Sequence, residues 1–379
     1  MRRTLQIVAF ALMMPVGSMF AQEISSATTT DNTTTELETK KKIKKKKPSE
    51  ETLKQEFFQA VETGDLDQVA TSLDAMKYYQ YNATGETALT LAIQQENEEM
   101  VRQLTEGAVI NLKNKAGETP LTLALKKKNH AIIQMVLKRA KAGLKNDAGE
   151  APLMLAMDLN DLELLQTLIE KGADVNRKTN GITPIAKATQ MNQVKMVALL
   201  VRNGADPSQP NDDGDIPLYI AVRNGYNIIS GILLHKSEQA SKDANWKTDM
   251  GETLLNIAIE EGHEQVARLL LDFGADVEGM DYLENTALNL ASEKGSLALV
   301  TMLLEKGANY DHVNIMGTSP IMAAAQNGHT ELADKLASLG ANPAQRNFEG
   351  LAAQDYGHFR HSSANDELMN AVYELTEEK

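Results

Sequence analysis

The sequence predicts an all-α solenoid in which short helix-turn-helix units stack side by side with hairpin-like tips between them. The first observation is a period. Gly85, Gly117, Gly149, Gly181, Gly214, Gly251, Glu284, Gly317 and Gly350 occupy equivalent places, 32, 32, 32, 33, 37, 33, 33 and 33 residues apart. A fixed interval of this length marks a stacked array. The second observation is that each interval holds two short apolar stripes at helical spacing. In Gly251 to Glu278, GETLLNIAIEEGHEQVARLLLDFGADVE, they are Leu254, Leu255, Ala258 and Ile259, then Val266, Leu269 and Leu270. The third is the punctuation. Gly262-His263 breaks the chain between the stripes and Gly274 ends the second, because a residue without a side chain adopts positive φ at little cost. Each helix is too short to be stable alone, and the pair is apolar on more than one face, so every unit requires neighbours.

The starts and ends of the units repeat as well. GETPLTLAL at Gly117, GITPIAKAT at Gly181, GDIPLYIAV at Gly214 and GTSPIMAAA at Gly317 place a proline in the first helical turn, where its missing N–H is no loss. The second helices end in EKGADVN (from Glu170), RNGADPS (from Arg202), DFGADVE (from Asp272), EKGANYD (from Glu305) and SLGANPA (from Ser338). With this period, TPL-type start, Gly-His turn and Gly-Ala-Asp end, the stretch from about Glu51 to Lys379 resembles the ankyrin-repeat family. The resemblance implies a protein-binding fold with its contact surface on the hairpin tips, the residue after each turn glycine and the end of the first helix. It also implies a structural hydrogen-bonding role for His263 and His329.

Taken in order, Met1 to Ala21 has Arg2 and Arg3 followed by an uncharged apolar run, LQIVAFALMMPVG, and reads as a secretory signal peptide cleaved after Ala21. Pro15, Gly17 and Ser18 oppose the rival reading of an uncleaved anchor, so no stable membrane span is expected after processing. The expected location is the periplasm or the exterior. Residues 22–50 form a Thr/Ser- and Lys-rich linker without the apolar content to fold. Its Lys40 to Lys47 run reads as a solvated spacer, as a weak attraction to an anionic surface, or as a nuclear address acting only in a host cell.

Nine of the 38 Lys and Arg and four of the 52 Asp and Glu precede Ser49, which leaves the body with 29 and 48 and a net charge of −19. A phosphate-binding surface needs clustered positive charge, so the repeat body is not expected to bind nucleic acid. Absence of cysteine excludes disulfides, cysteine-ligated zinc and thiol catalysis. There is no Gly-rich phosphate loop, no GxSxG and no HExxH. His358 and His361 are the only close histidine pair, with Asp355 nearby, and their expected role is structural or superficial. No enzyme, metal or cofactor is expected.

The folded part divides into a cap at 51–81, eight repeats at 82–346 and a closing unit at 347–379. At the turn between helices the later repeats have Gly225, Gly262, Gly295 and Gly328, whereas the earlier ones have Glu96, Lys128, Asn160 and Asn192, residues that strain in a left-handed turn. Repeat two ends RAKAGLK, without the Gly-Ala-Asp stop. These differences predict that Gly85 to Leu144 opens before Gly251 to Gly340. Between Ile232 and Gly251 the spacing grows by four, and HKSEQASKDANWK, which contains the sole tryptophan, Trp246, reads as a tolerated surface loop.

Function is then expected in surface recognition of another protein. An Asx residue opens most tips, at Asn82, Asn114, Asn146, Asn211, Asp281, Asn314 and Asn347, with Lys178 and Thr248 departing. The tip residues that follow are small or polar early in the array and become large and apolar later. The candidate contact strip is Met250, Tyr282, Leu283, Ile315, Met316 and Phe348, with the alternative that these side chains merely fold against adjacent tips. After the turn glycines come Glu86, Glu118, Glu150, Asp215 and Glu252, which makes the expected face acidic first and apolar later. Two functions fit: an exported scaffold for an envelope protein, or a secreted effector that binds a host protein, with the lysine run as its address.

Overall fold

Most repeats start from a helix cap written in the sequence. Thr87, Thr119, Thr183, Thr253 and Thr286 each sit in extended backbone and accept a hydrogen bond from an amide in the first helical turn. At Thr119 the cap is reciprocal, since the Thr122 hydroxyl returns to the cap's own amide. Where the cap side chain makes no such bond, at Ala151, Ile216 and Ser319, the next residue is a proline that has no amide hydrogen to satisfy.

The computed structural model describes residues 48–72, 80–107 and 109–356. The signal-like segment, Lys40 to Lys47, and the end of the chain with His358 and His361 lie outside the described residues. Within the body, helices α1 (Glu50–Thr63) and α2 (Leu66–Ser72) form the first pair. Eight pairs follow: α3 (Ala88–Gln94) with α4 (Glu98–Gly107), α5 (Pro120–Lys127) with α6 (His130–Leu137), α7 (Pro152–Met157) with α8 (Leu162–Glu170), and α9 (Pro184–Gln190) with α10 (Val194–Arg202). The later four are α11 (Pro217–Arg223) with α12 (Asn227–Lys236), α14 (Leu254–Glu260) with α15 (Glu264–Asp272), α16 (Ala287–Glu293) with α17 (Leu297–Glu305), and α18 (Pro320–Gln326) with α19 (Thr330–Ser338). A short helix, α13 (Ala240–Ala244), is inserted after α12, and a 3-10 turn at Ala353–Asp355 follows the last pair. Among the described residues there is no extended strand; the tips make only isolated antiparallel bridges such as Met280 with Thr286 and Arg346 with Ala352. No helix among them is long and apolar enough to cross a membrane.

First helices pack on first helices of the next unit, and second helices on second helices. The buried residues therefore form one continuous ribbon from Phe57 to Ala353, with no centre of its own. Each unit contributes the same small-large pattern, for example Leu121, Ala124 and Leu125 from α5 against Leu89, Ala92 and Ile93 from α3. The alanines bring the helices close. Truncating a fully buried member such as Leu200 to Ala removes packing from adjoining units and costs about 2–5 kcal/mol.

The turn between paired helices is left-handed throughout, as the sequence implies. It is occupied by Glu96 (φ 56°), Lys128 (φ 60°), Asn160 and Asn192 (φ 52° each) in the first half and by glycine at 225, 262, 295 and 328 in the second. His263 and His329 have the structural role expected of them. Each ring lies over the turn glycine of the preceding unit, and Nε2 donates to a main-chain carbonyl there, Arg223 at 3.2 Å and Glu293 at 2.9 Å. A Cβ on Gly295 would stand 2.4 Å from the His329 ring, so this turn requires glycine for packing as well as for φ.

Two features differ from the sequence expectations. The added residues after α12 are not a plain surface loop: Asp243 of α13 is buried and accepts hydrogen bonds from the hydroxyls of Ser208 and Ser237, at 2.5 Å each. Asn245 ties the segment onward, donating to the Gly274 carbonyl and accepting from the Asp276 amide. The missing Gly-Ala-Asp stop near Arg139 is matched by a different brace, since the Arg139 guanidinium donates to the carbonyls of Thr105 and Glu106 at the end of α4. That brace satisfies carbonyls that a helix terminus leaves open.

A left-handed conformation costs a side-chain-bearing residue roughly 1–2 kcal/mol, part of which glycine returns through the greater freedom of the unfolded chain. Lys128→Gly is thus expected to stabilise the protein by about 0.5–1 kcal/mol in urea denaturation. Native-state hydrogen exchange is expected to show the amides of α3–α6 exchanging faster than those of α14–α19; stronger protection of the earlier helices would refute the N-terminal weakness.

Candidate functional site

Most tips are built on an Asx side chain, buried at Asn114, Asn146, Asn211, Asp281 and Asn347 and half-buried at Asn82 and Asn314. Asn82 Oδ1 accepts from the amides of Thr84 (3.1 Å) and Glu86 (2.8 Å), Asn314 Oδ1 from Met316 (2.9 Å) and Thr318 (3.0 Å), and Asn347 Oδ1 from Glu349 (3.0 Å) and Leu351 (2.9 Å). One oxygen thereby closes the loop and aims the residues in between outward. Thr248, one of the two departures from Asx, imitates half of the arrangement with its hydroxyl, which accepts from the Glu252 amide at 3.2 Å. Neighbouring tips are joined by single main-chain bonds, Lys115 to Gly85 at 2.8 Å near the start and Ile315 to Leu283 and Phe348 to Met316 at 3.1 Å near the end.

The acidic residues after the turn glycines are all half-buried, and the early ones are occupied. Glu86 accepts from the Thr90 hydroxyl (2.7 Å) and from Asn114 Nδ2 (2.9 Å). Glu118 accepts from Thr122 (2.7 Å), Lys126 (2.6 Å) and Asn146 (3.1 Å). Glu150 holds Asn146 Nδ2 at 2.6 Å and shares Lys126, whose Nζ is 2.5 Å away. Partial desolvation alone would raise the Glu118 carboxyl, but the hydrogen bonds from Lys126, Thr122 and Asn146 hold it below the usual range. The hydrogen bonds from Lys126 and Asn146 do the same for Glu150.

Further along, the balance reverses. Desolvation, and then the charges of Asp213 and Asp249, raise the Asp215 carboxyl against the pull of Asn211 and Arg223. Glu252 faces Glu260, which stands where Lys126 stands in its own unit. The Glu260 carboxyl is pushed up to about 7, by desolvation first, then by its hydrogen bond with Glu252 and the charges of Glu252 and Asp281, with Lys294 opposing. Glu260 as a residue is exposed, so solvent screens much of this repulsion.

The apolar candidates separate by exposure. Phe348 is 80% exposed, Met250 69%, Tyr282 64%, Met316 50% and Ile315 42%. Leu283 is only half-exposed, and its carbonyl and amide serve the tip framework. The Phe348 ring edge passes over Gly317, where an added Cβ would lie 3.2 Å from it. Beside this strip runs a groove of about 420 Å³ whose lining includes Asn289, Glu293, Met316, Thr318, Gln326 and Glu349. Among the described residues no group of three or more His, Cys, Asp and Glu is placed to hold a metal ion.

A family model of ankyrin repeats, three copies in length, matches at residues 57–146, 106–179, 128–211, 153–243, 218–314 and 278–347. The chain belongs to the ankyrin-repeat family. Its overlapping matches cover the helical ribbon from Phe57 to Asn347. Among curated proteins none matches the chain significantly. Ankyrin repeats generally mediate protein–protein interaction and are typically non-enzymatic scaffolds.

In this ankyrin array, reading the sequence by the residue after each glycine missed the partner position eight residues on. Lys126 and Glu260 occupy it, at the end of the first helix, and the recurring pairs Glu118/Lys126 and Glu252/Glu260, each with one member just before the helix cap, were the available signal. The second pair has a consequence for stability. A carboxyl with a folded pKa near 7 and an unfolded value near 4.5 holds a proton in the folded state that the unfolded chain has released, so stability falls as pH rises from about 4.5 through 7. Glu260→Gln removes that loss. Thermal unfolding should show the variant more stable than the parent at pH 8, by about 2 °C, and equal to it at pH 4.

Proposed function

We propose that this protein is an exported, non-enzymatic scaffold that binds another protein through the concave face and tips of its later repeats. One observation carries the reading. Four successive tips present large apolar side chains to solvent, Met250, Tyr282, Ile315 with Met316, and Phe348, although a projecting tip gains nothing structural from them. Contiguous exposed apolar groups rimmed by polar ones characterise protein contact sites, and aromatic and Met side chains supply most of the energy in such places. Export rests on the sequence of Met1 to Ala21.

A second reading is a secreted effector that engages a host protein, favoured by the Lys40 to Lys47 run. Location separates them. A processed form retained in the envelope supports the scaffold, and transfer to a host nucleus supports the effector.

The binding surface itself is tested by affinity capture from an envelope extract with the chain from Gln22 onward, alongside Tyr282→Ser/Ile315→Ser/Phe348→Ser, with circular dichroism to verify that both are folded. A protein retained by the parent and lost by the triple variant is the expected result. Equal capture by both would remove recognition from the tips.

A further inference from the structure

The concave side changes its treatment of negative charge half-way along the array. In the earlier repeats several acids are matched internally: Lys126 Nζ bridges Glu118 and Glu150, Lys187 Nζ lies 2.7 Å from Asp158, and Lys178 Nζ lies 2.9 Å from Asp212. From Gly251 onward the first-helix position that holds Lys126 and Arg223 holds Glu260 and then Glu293. Among the described residues neither of these, nor Glu252, has a Lys, Arg or His nitrogen within ion-pairing distance. The nearest compensation is the longer-range charge of Lys294 on Glu260.

Among the described residues Glu86 and Asp215 also lack an ion pair, beside small or polar tips, but in the units of Glu252 with Glu260 and of Glu293 unmatched acids stand beside exposed apolar tips, Met250 and Tyr282. Unpaired like charges and uncovered apolar groups are each unfavourable in the free protein, and here they interleave on one face. Lys126 shows what completes such a pair, one ammonium between two carboxylates. Among the described residues no lysine does this for Glu252 and Glu260.

We propose that the face from α14 to α18 receives an extended segment of a partner protein that combines Lys or Arg with large apolar residues. One cationic side chain lies between Glu252 and Glu260, and the apolar ones lie against Tyr282, Met316 and Phe348. This rests on the tip-based binding proposed above and adds the chemistry of the partner. Stacked helices are about 8–10 Å apart, and an extended chain advances about 3.3 Å per residue, so the segment presents one reading residue to each repeat about every third position. The chain's own Lys40 to Lys47 run supplies the charge but only Ile43 as an apolar group, against five exposed apolar side chains. A partner with both is the better complement.

The test uses fluorescein-labelled 12-residue peptides in a Ser/Gly background and the chain from Gln22 onward, read by anisotropy. One probe carries two Lys followed by Leu at every third position, a second replaces Leu by Ser, and a third replaces Lys by Glu. The Lys/Leu probe is expected to bind at least tenfold tighter than the other two. Glu252→Gln/Glu260→Gln should weaken it at least tenfold, whereas Glu305→Gln/Glu331→Gln, which alters exposed acids on second helices, should leave it unchanged. Equal binding of the Lys/Leu and Glu/Leu probes, no binding of any probe, or an equal effect of the two acid variants would overturn the proposal. Self-association of the chain that disappears both on removing residues 40–47 and in Glu252→Gln/Glu260→Gln would overturn it in favour of a second copy. If the tip variant above loses its captured protein while the probes are not distinguished, the binding surface stands and this partner chemistry falls. If the tip variant also captures normally, both fall.

Discussion

An Asx side chain at the base of most tips joins two scales of this structure. Its oxygen closes the local turn on one main-chain amide, as in Asn114 and Asn146, or on two, as in Asn314 and Asn347, and in Asn114 and Asn146 its nitrogen reaches the carboxylate of the preceding repeat, at 2.9 and 3.1 Å. Loop shape and stacking register are thereby set by one residue. A polar side chain buried this fully would destabilise the fold if unpaired, so the position tolerates few replacements. Thr248 can stand in only because a hydroxyl accepts one of the same bonds. The outward aim of Tyr282, Met316 and Phe348 is a product of these Asx groups.

The later repeats use the same idea one step deeper. Where the earlier units carry Thr90 and Thr122 in reciprocal caps, Asn256 and Asn289 occupy the corresponding helical position and reach across to carbonyls of the next tip, Asn285 at 3.3 Å and Thr318 at 3.1 Å. Two of the four tips that bear exposed apolar groups, those of Tyr282 and of Ile315 with Met316, are thus held by side-chain bridges from the first helices, and the second also by the Ile315–Leu283 main-chain bond. A contact surface of this kind is rigid before it meets anything, which limits the ordering cost of association.

Most of the architecture was legible because it is written nine times. The TP start, the left-handed turn and the tip Asx each depend on local chemistry, and repetition separates them from coincidence. The strain at Glu96 and Lys128 was legible for the same reason, since an exception is visible only against a pattern. What lay beyond the sequence was cooperation between repeats. Glu118 and Glu150 read as free acids, yet Lys126 and Asn146 enclose them; Glu252 read as one of the same set, yet it faces another carboxylate. The insertion around Asp243 read as a loop because its partner Ser208 lies 35 positions away, in the previous repeat. Spacing along a chain announces a helix; it does not announce which neighbour completes a hydrogen bond across the stack.

The sole tryptophan stands in that insertion, its ring 5.0 Å from Tyr219, close to the middle of the ribbon. In a one-dimensional stack disorder advances as a front, one repeat at a time, because each unit touches only its neighbours. Trp246 is therefore a fixed marker on the path of that front. Its emission remains native while the earlier repeats fray and changes when the boundary crosses the junction, so the molecule carries its own gauge of how far along its length order has retreated.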